Sequence, residues 1–231
     1  MIMAEKTEQL SFQLRPVEPY GMEYFVPHRG VVQAVAVLDQ ALGDVAAAPE
    51  NFRMVFLWGP PGSGKTHLCE AYHAAALKRG LAPHKIRLVD LEERLVDSRV
   101  SDNDESAVAE FVACYEQLRA SGGMLIVCAR RAPAEVSSNP HLKSRILAAA
   151  SCELAYPLEE ELPPLLSSLL SRHNLKLSPR SQTYLLRRLP LAPLSFDNIF
   201  ARISELSFSQ SKPAGLGLVR ESVEAEEEKP S

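Results

Sequence analysis

The chain has 231 residues, 46% hydrophobic and 23% charged, with 25 basic and 29 acidic residues and a formal net charge of -4. That is room for one mid-sized domain with a smaller appendage around a substantial core, in the composition of an ordinary soluble globular protein. The slight negative charge excludes a broad basic footprint for nucleic acid, so direct sequence-specific DNA binding is not expected.

The four cysteines, Cys69, Cys114, Cys128 and Cys152, are scattered, with no Cys-x-x-Cys pair and no histidine at ligand spacing. They read as buried, reduced thiols rather than a metal site or a disulfide framework. No segment reads as long enough to cross a bilayer, and the N-terminus lacks the basic start and apolar run of a secretory signal. A cytoplasmic protein without a membrane partner is expected.

In chain order, residues 1–20 are polar and interrupted by Pro16 and Pro19, which predicts a flexible arm. Residues 21–156 follow as a core. Val31 to Leu42 carries apolar residues at three and four spacing, an amphipathic helix. The run Met54 to Trp58 is a buried strand, and Thr66 to Arg79 a helix ended by Gly80. Lys85 to Leu91 is a second strand. Val108, Phe111, Val112, Tyr115 and Leu118 fall on one helix face, and Gly123 to Ala129 is a third strand. Strands alternating with helices predict an α/β fold, a parallel sheet flanked by helices. Within residues 157–210 strand signals fade, and three successive helical segments predict a small helical subdomain. Residues 211–231 shorten into an acidic tail, expected to be partly disordered.

The chemistry begins at Gly59-Pro60-Pro61-Gly62-Ser63-Gly64-Lys65-Thr66, a full match to GxxxxGK[ST] lying between a buried strand and a helix. Its glycines let backbone N–H groups face phosphates, Lys65 reaches the terminal ones, and the Thr66 hydroxyl can ligate Mg2+. The helix adds its positive end. ATP or ADP with Mg2+ is the expected ligand. Hydrolysis needs an acid on a neighbouring strand to hold the metal. The one acid so placed is Asp90, in Ile86-Arg87-Leu88-Val89-Asp90-Leu91, where Arg87 interrupts the apolar run and Leu91 stands in place of a second acid. Asp90 reads equally as a magnesium-side acid or as a strand-end cap.

With these residues assembled, the chain resembles the DnaA-related AAA+ family, and most of all its Hda-type regulatory inactivators. The resemblance rests on GPPGSGKTHL, with its His67-Leu68 extension, and on RRAPAEV (Arg130 to Val136), like the family's sensor 1 turn. HLKSRI (His141 to Ile146) is like the box that carries the arginine finger, and Pro157 to Leu189 has the spacing of the lid helices. It covers most of the chain, from Gln9 to Gln210. It implies a P-loop AAA+ core with a C-terminal helical lid, and places the finger on Arg145. It implies a DnaA-type initiator and the replicative sliding clamp as partners, and allows a homo-oligomer. QLSFQL is similar to the family's clamp-binding peptide, with Gln9 at a pocket rim and Leu10, Phe12 and Leu14 within it.

The chain also departs from the pattern. The interval from Thr66 to Asp90 is too short for the family's usual extra strand, so an edge strand or the acid-bearing strand itself is expected to be missing. Arg130 stands at the sensor 1 position. Asp197 stands where a sensor 2 arginine belongs, which predicts repulsion of phosphates unless Arg188 or Arg202 substitutes. The expected function is a nucleotide-binding regulator of replication initiation that promotes hydrolysis of DnaA-bound ATP. The alternatives are a non-hydrolysing scaffold that links the clamp to another partner, or a helicase-loader-like ATPase.

Overall fold

The computed structural model describes residues 22, 25–91, 105–137 and 139–227. The apolar run before the glycine-rich loop is β1 (Phe52–Trp58), and the two later runs are β2 (Ile86–Asp90) and β3 (Gly123–Ala129). With β4 (Ala150–Glu153) they form one parallel sheet in the order β2-β3-β1-β4. All seven residues of β3 are buried, as a central parallel strand covered on both faces requires.

Alternation along the strands decides which helices cover which face. Val55, Leu57, Met124 and Ile126 point to one side, where α1 (Arg29–Ala47) and α2 (Lys65–Lys78) bury Val31, Leu38, Leu42, Leu68 and Tyr72. Met54, Phe56, Leu125 and Val127 point to the other, against Phe111 and Leu118 of α3 (Glu105–Ser121) and Leu142 and Ile146 of α4 (Pro140–Leu147). Each fully buried side chain of this size contributes roughly 1.5–3 kcal/mol.

A separate core lies among α5 (Leu162–Arg172), α6 (Pro179–Arg188), α7 (Pro193–Ser209) and α8 (Leu216–Glu227). Leu166, Leu185, Phe196 and Ile203 are its centre. The start of this unit is tied to the start of α1 by Glu161. One carboxylate oxygen accepts the Arg29 N–H at 2.8 Å and the other the Leu158 N–H at 2.9 Å. Those two backbone donors hold the Glu161 carboxyl below its ordinary range.

Two expectations need correction. The segment after Ser211, read as a partly disordered tail, forms α8 through Glu227, with Val219 and Val223 fully buried in the helical core. Its acidic composition is real, but two valines four residues apart suffice to anchor the helix on α6 and α7. The second concerns length: α1, at 19 residues, is long and apolar enough by length and composition to cross a membrane. Here its apolar stripe lies on the sheet, packed in the same cluster as Val55 and Leu154.

Candidate nucleotide-binding site

The loop after β1 is shaped by three glycines in conformations that L side chains avoid. Gly59 has φ +145, and a Cβ there would lie 2.1 Å from the Leu154 carbonyl oxygen beyond β4. Gly62 has φ +75, and its Cβ would lie 3.1 Å from the Cβ of Leu194 and 3.3 Å from that of Ala192, at the start of α7. The loop is thus held between the end of β4 and the first turn of α7. Gly64, with φ +100, is the N-cap of α2 and offers no side-chain acceptor to the helix. The first-turn N–H groups of α2 therefore point, with the helix dipole, toward an anion site. The Ser63 hydroxyl is buried beside them without a protein partner. Lys65 Nζ donates to the carbonyls of Gly59 at 2.7 Å and Pro60 at 2.9 Å, folded along the loop it serves. The Tyr156 hydroxyl braces the loop by donating to the Pro61 carbonyl at 2.7 Å.

Facing this wall is the helical unit. A cleft of about 280 Å³ is lined by Gly62, Gly64, Lys65, Thr66 and His67 on one side. Leu169, Arg172, Pro193, Leu194 and Asp197 line the other. Asp197 accepts from His173 Nε2 at 2.7 Å and pairs with Arg172 Nη1 at 3.5 Å. Burial pushes the Asp197 carboxyl up. The His173 hydrogen bond and the charges of Arg172 and His173 outweigh this and hold it below its ordinary range. The carboxylate is held by Arg172 and His173, and their charge offsets the repulsion of phosphates expected from the sequence. The arginine that faces the cleft is Arg172, whose Nε is buried without a hydrogen-bond partner. Neither Arg188 nor Arg202 lines it. Nothing in the sequence marks Arg172 for this role, because no local signal shows that the end of α5 meets the P-loop.

Asp90 ends β2, one strand removed from β1 across β3, and is in register with Cys128. It lines a second cleft of about 290 Å³ together with Thr66, Cys69, Glu70 and Cys128. The structure thus brings Asp90 and Thr66 to one opening. The hydrogen bond with Cys69, burial, and the Asp90 carboxylate together push the Cys128 thiol far above its ordinary range, so it stays protonated. All four cysteines are free thiols. Among the described residues no group of three His, Cys, Asp or Glu could hold a metal by itself. Thr66 and Asp90 present to one opening a hydroxyl and a carboxylate oxygen, donor types that Mg2+ takes beside water and phosphate oxygens.

Arg145 lines neither cleft. It sits in the last turn of α4, where Nη2 bonds Glu116 Oε1 at 2.6 Å and Nη1 donates to the His141 carbonyl at 2.8 Å. Its guanidinium lies 5.2 Å from the centre of the Tyr115 ring, and its Nε is buried without a partner. Arg130 follows β3 as an exposed residue. Gln9, Leu10, Phe12 and Leu14 lie outside the described residues.

Solved structures match this architecture. Domain III of the replication initiation protein DnaA from Thermotoga maritima superposes with a TM-score of 0.70 at 18% identity, over 91% of this chain and 98% of that one. DnaA from Aquifex aeolicus bound to AMPPCP gives 0.64 at 20% identity, over 84% and 68%. The Thermotoga maritima Holliday junction branch migration motor RuvB gives 0.59 at 18% identity, over 90% and 72%. No family model and no curated protein sequence matches the chain. The fold is the one these structures share, a P-loop AAA+ parallel sheet flanked by helices.

Proposed function

We propose that the protein is a nucleotide-binding, Hda-like regulator of DNA replication initiation. In this reading it binds ATP or ADP with Mg2+ and promotes hydrolysis of ATP held by a DnaA-type initiator, in concert with the sliding clamp in the cytoplasm. The observation that carries the nucleotide part is the cleft where Gly62, Gly64, Lys65 and Thr66 face Arg172 and Asp197. Lys65 and the α2 N-terminus would hold phosphates, and Thr66 and Asp90 would hold the cation. Bound nucleotide supplies a polyanion between loop and lid. Arg172 would then stabilise a phosphate from the lid side, in exchange for part of its contact with Asp197.

The regulatory part rests on Arg145 and the arm. Arg145 would neutralise charge developing on the phosphoryl group of a neighbouring protomer's ATP, an effect worth roughly a thousandfold or more in rate. For that, it must leave Glu116. Gln9, Leu10, Phe12 and Leu14 would dock in an apolar pocket of the clamp. A homo-oligomer would use the same Arg145 face.

A non-catalytic scaffold is the second reading. The 2.6 Å Arg145–Glu116 bond favours it, because a guanidinium so engaged already has a structural partner. The test measures hydrolysis of ATP held by a DnaA-type initiator, with clamp loaded on DNA, as the protein is titrated in. Hydrolysis that rises with the wild type and is lost with Arg145→Ala supports the regulator. No rise while nucleotide still binds leaves the scaffold.

A further inference from the structure

The helical unit carries a third cleft that shares no residue with the other two. It is an open concavity of about 340 Å³ lined by Arg180, Thr183, Tyr184 and Arg187 of α6 and by Leu216 and Arg220 of α8. On α6 the three and four spacing of these positions stacks them on one helix face. Arg180 and Arg187 are seven residues apart, about 10 Å along the axis. Arg220 enters from the neighbouring helix, its guanidinium 5.7 Å from the centre of the Tyr184 ring. Arg180, Arg187 and Arg220 are exposed, and neither Arg180 nor Arg187 has a carboxylate partner among the described residues. Three guanidiniums converge here on a chain whose net charge is -4.

We propose that this cleft binds the phosphodiester backbone of single-stranded nucleic acid without reading its sequence. Guanidinium forks match phosphate oxygens in geometry as well as charge. Thr183 adds a hydroxyl of the kind that contacts phosphates, and Tyr184 an aromatic face of the kind on which unpaired bases stack. Arg180 and Arg187 stand two turns apart along α6 with Arg220 beside them on α8, so the cleft offers a row of positive charge of the kind that follows a polyanion. An acidic protein would need an apolar centre to bury, and Leu216 is the one aliphatic residue lining the cleft. This property is independent of the P-loop and of the regulatory reading above.

The test is fluorescence anisotropy of the full chain with a labelled single-stranded oligonucleotide of about 20 nucleotides, the length over which three arginines are easily satisfied. Three phosphate contacts predict a salt slope near -2, so binding weakens about 20-fold between roughly 50 and 200 mM salt. The double charge reversal Arg180→Glu with Arg187→Glu weakens binding at least tenfold and flattens that slope. Both positions are exposed, and circular dichroism checks that the variant folds. Arg180→Ala alone gives a smaller graded loss. Excess ATP leaves binding unchanged, and a duplex of equal length binds more weakly. The proposal is overturned by equal binding of wild type and double variant, or by no binding at the lower salt. Displacement by ATP overturns it too, as does tighter binding of the duplex or of a polyglutamate peptide.

Discussion

On the P-loop side of the cleft, the groups that would meet a phosphate are main-chain amides, set by the positive φ of Gly59, Gly62 and Gly64, together with the Lys65 ammonium. On the lid side they are side chains: Arg172, with His173 and Asp197 joined to it in one charge cluster. The first wall is local, because eight consecutive residues carry both its shape and its charge. The second exists only when the end of α5 meets the first turns of α7. The first is fixed and electropositive. The second holds an arginine whose charge is shared with a carboxylate, so its pull on a ligand is adjustable.

The comparison breaks most sharply at Gly59. Its Cβ would approach the Leu154 carbonyl oxygen to 2.1 Å, and that oxygen is backbone and cannot step aside. Gly59→Ala is expected to destabilise the protein by about 3 kcal/mol or more, read as a lower urea midpoint at unchanged m. Lys65→Ala next separates binding from folding. Titration with a fluorescent ATP analogue should show affinity falling roughly tenfold to a hundredfold, the loss of one charge-assisted bond to phosphate, while the urea midpoint barely moves.

The smallest effect sharpens the lid side. Asp197→Asn is expected to lower stability by about 1–2 kcal/mol at neutral pH, since the charge that strengthens the His173 hydrogen bond and pairs with Arg172 is lost. It should also tighten nucleotide binding a few-fold, because Arg172 is released. The sign of the pH dependence follows from the lowered carboxyl. A group whose pKa is lower in the folded state stabilises above its unfolded value, near about 3.9, and loses that contribution as pH falls through the folded value. Wild-type and Asp197→Asn midpoints should therefore differ at pH 7 and converge below about pH 4. Stability that falls equally with pH in both would mean the cluster is not ionised as drawn.

Much of the core was legible because its signals are local. β3 spans Gly123–Ala129, the apolar run itself, and β1 extends Met54–Trp58 by two residues at its start. α2, α3 and the first three helices of the lid also fall where apolar spacing and turn residues put them. β4 was not legible. Of Ala150–Glu153 only Cys152 is buried, so there is no alternation to detect, and the strand exists because it pairs with Val55 to Trp58. α4 was visible only as a resemblance. Its real local signal is Asn139, whose Oδ1 accepts the N–H of His141 at 3.0 Å, followed by Pro140 in the first turn. α8 was lost under its acids.

The phosphate cradle belongs to the sequence, because glycines at fixed intervals, a lysine and a threonine define backbone geometry over a single turn of loop and helix. Such short-range constraints need no distant partner. Which arginine lines the P-loop cleft, whether Asp197 is paired there, and whether Asp90 shares an opening with Thr66 all rest on residues far apart in the chain. So does the gathering of Arg220 with Arg180 and Arg187 into one cleft. Those outcomes follow from packing, since the position of a side chain at a helix end is set by the core its helix buries rather than by its neighbours in sequence.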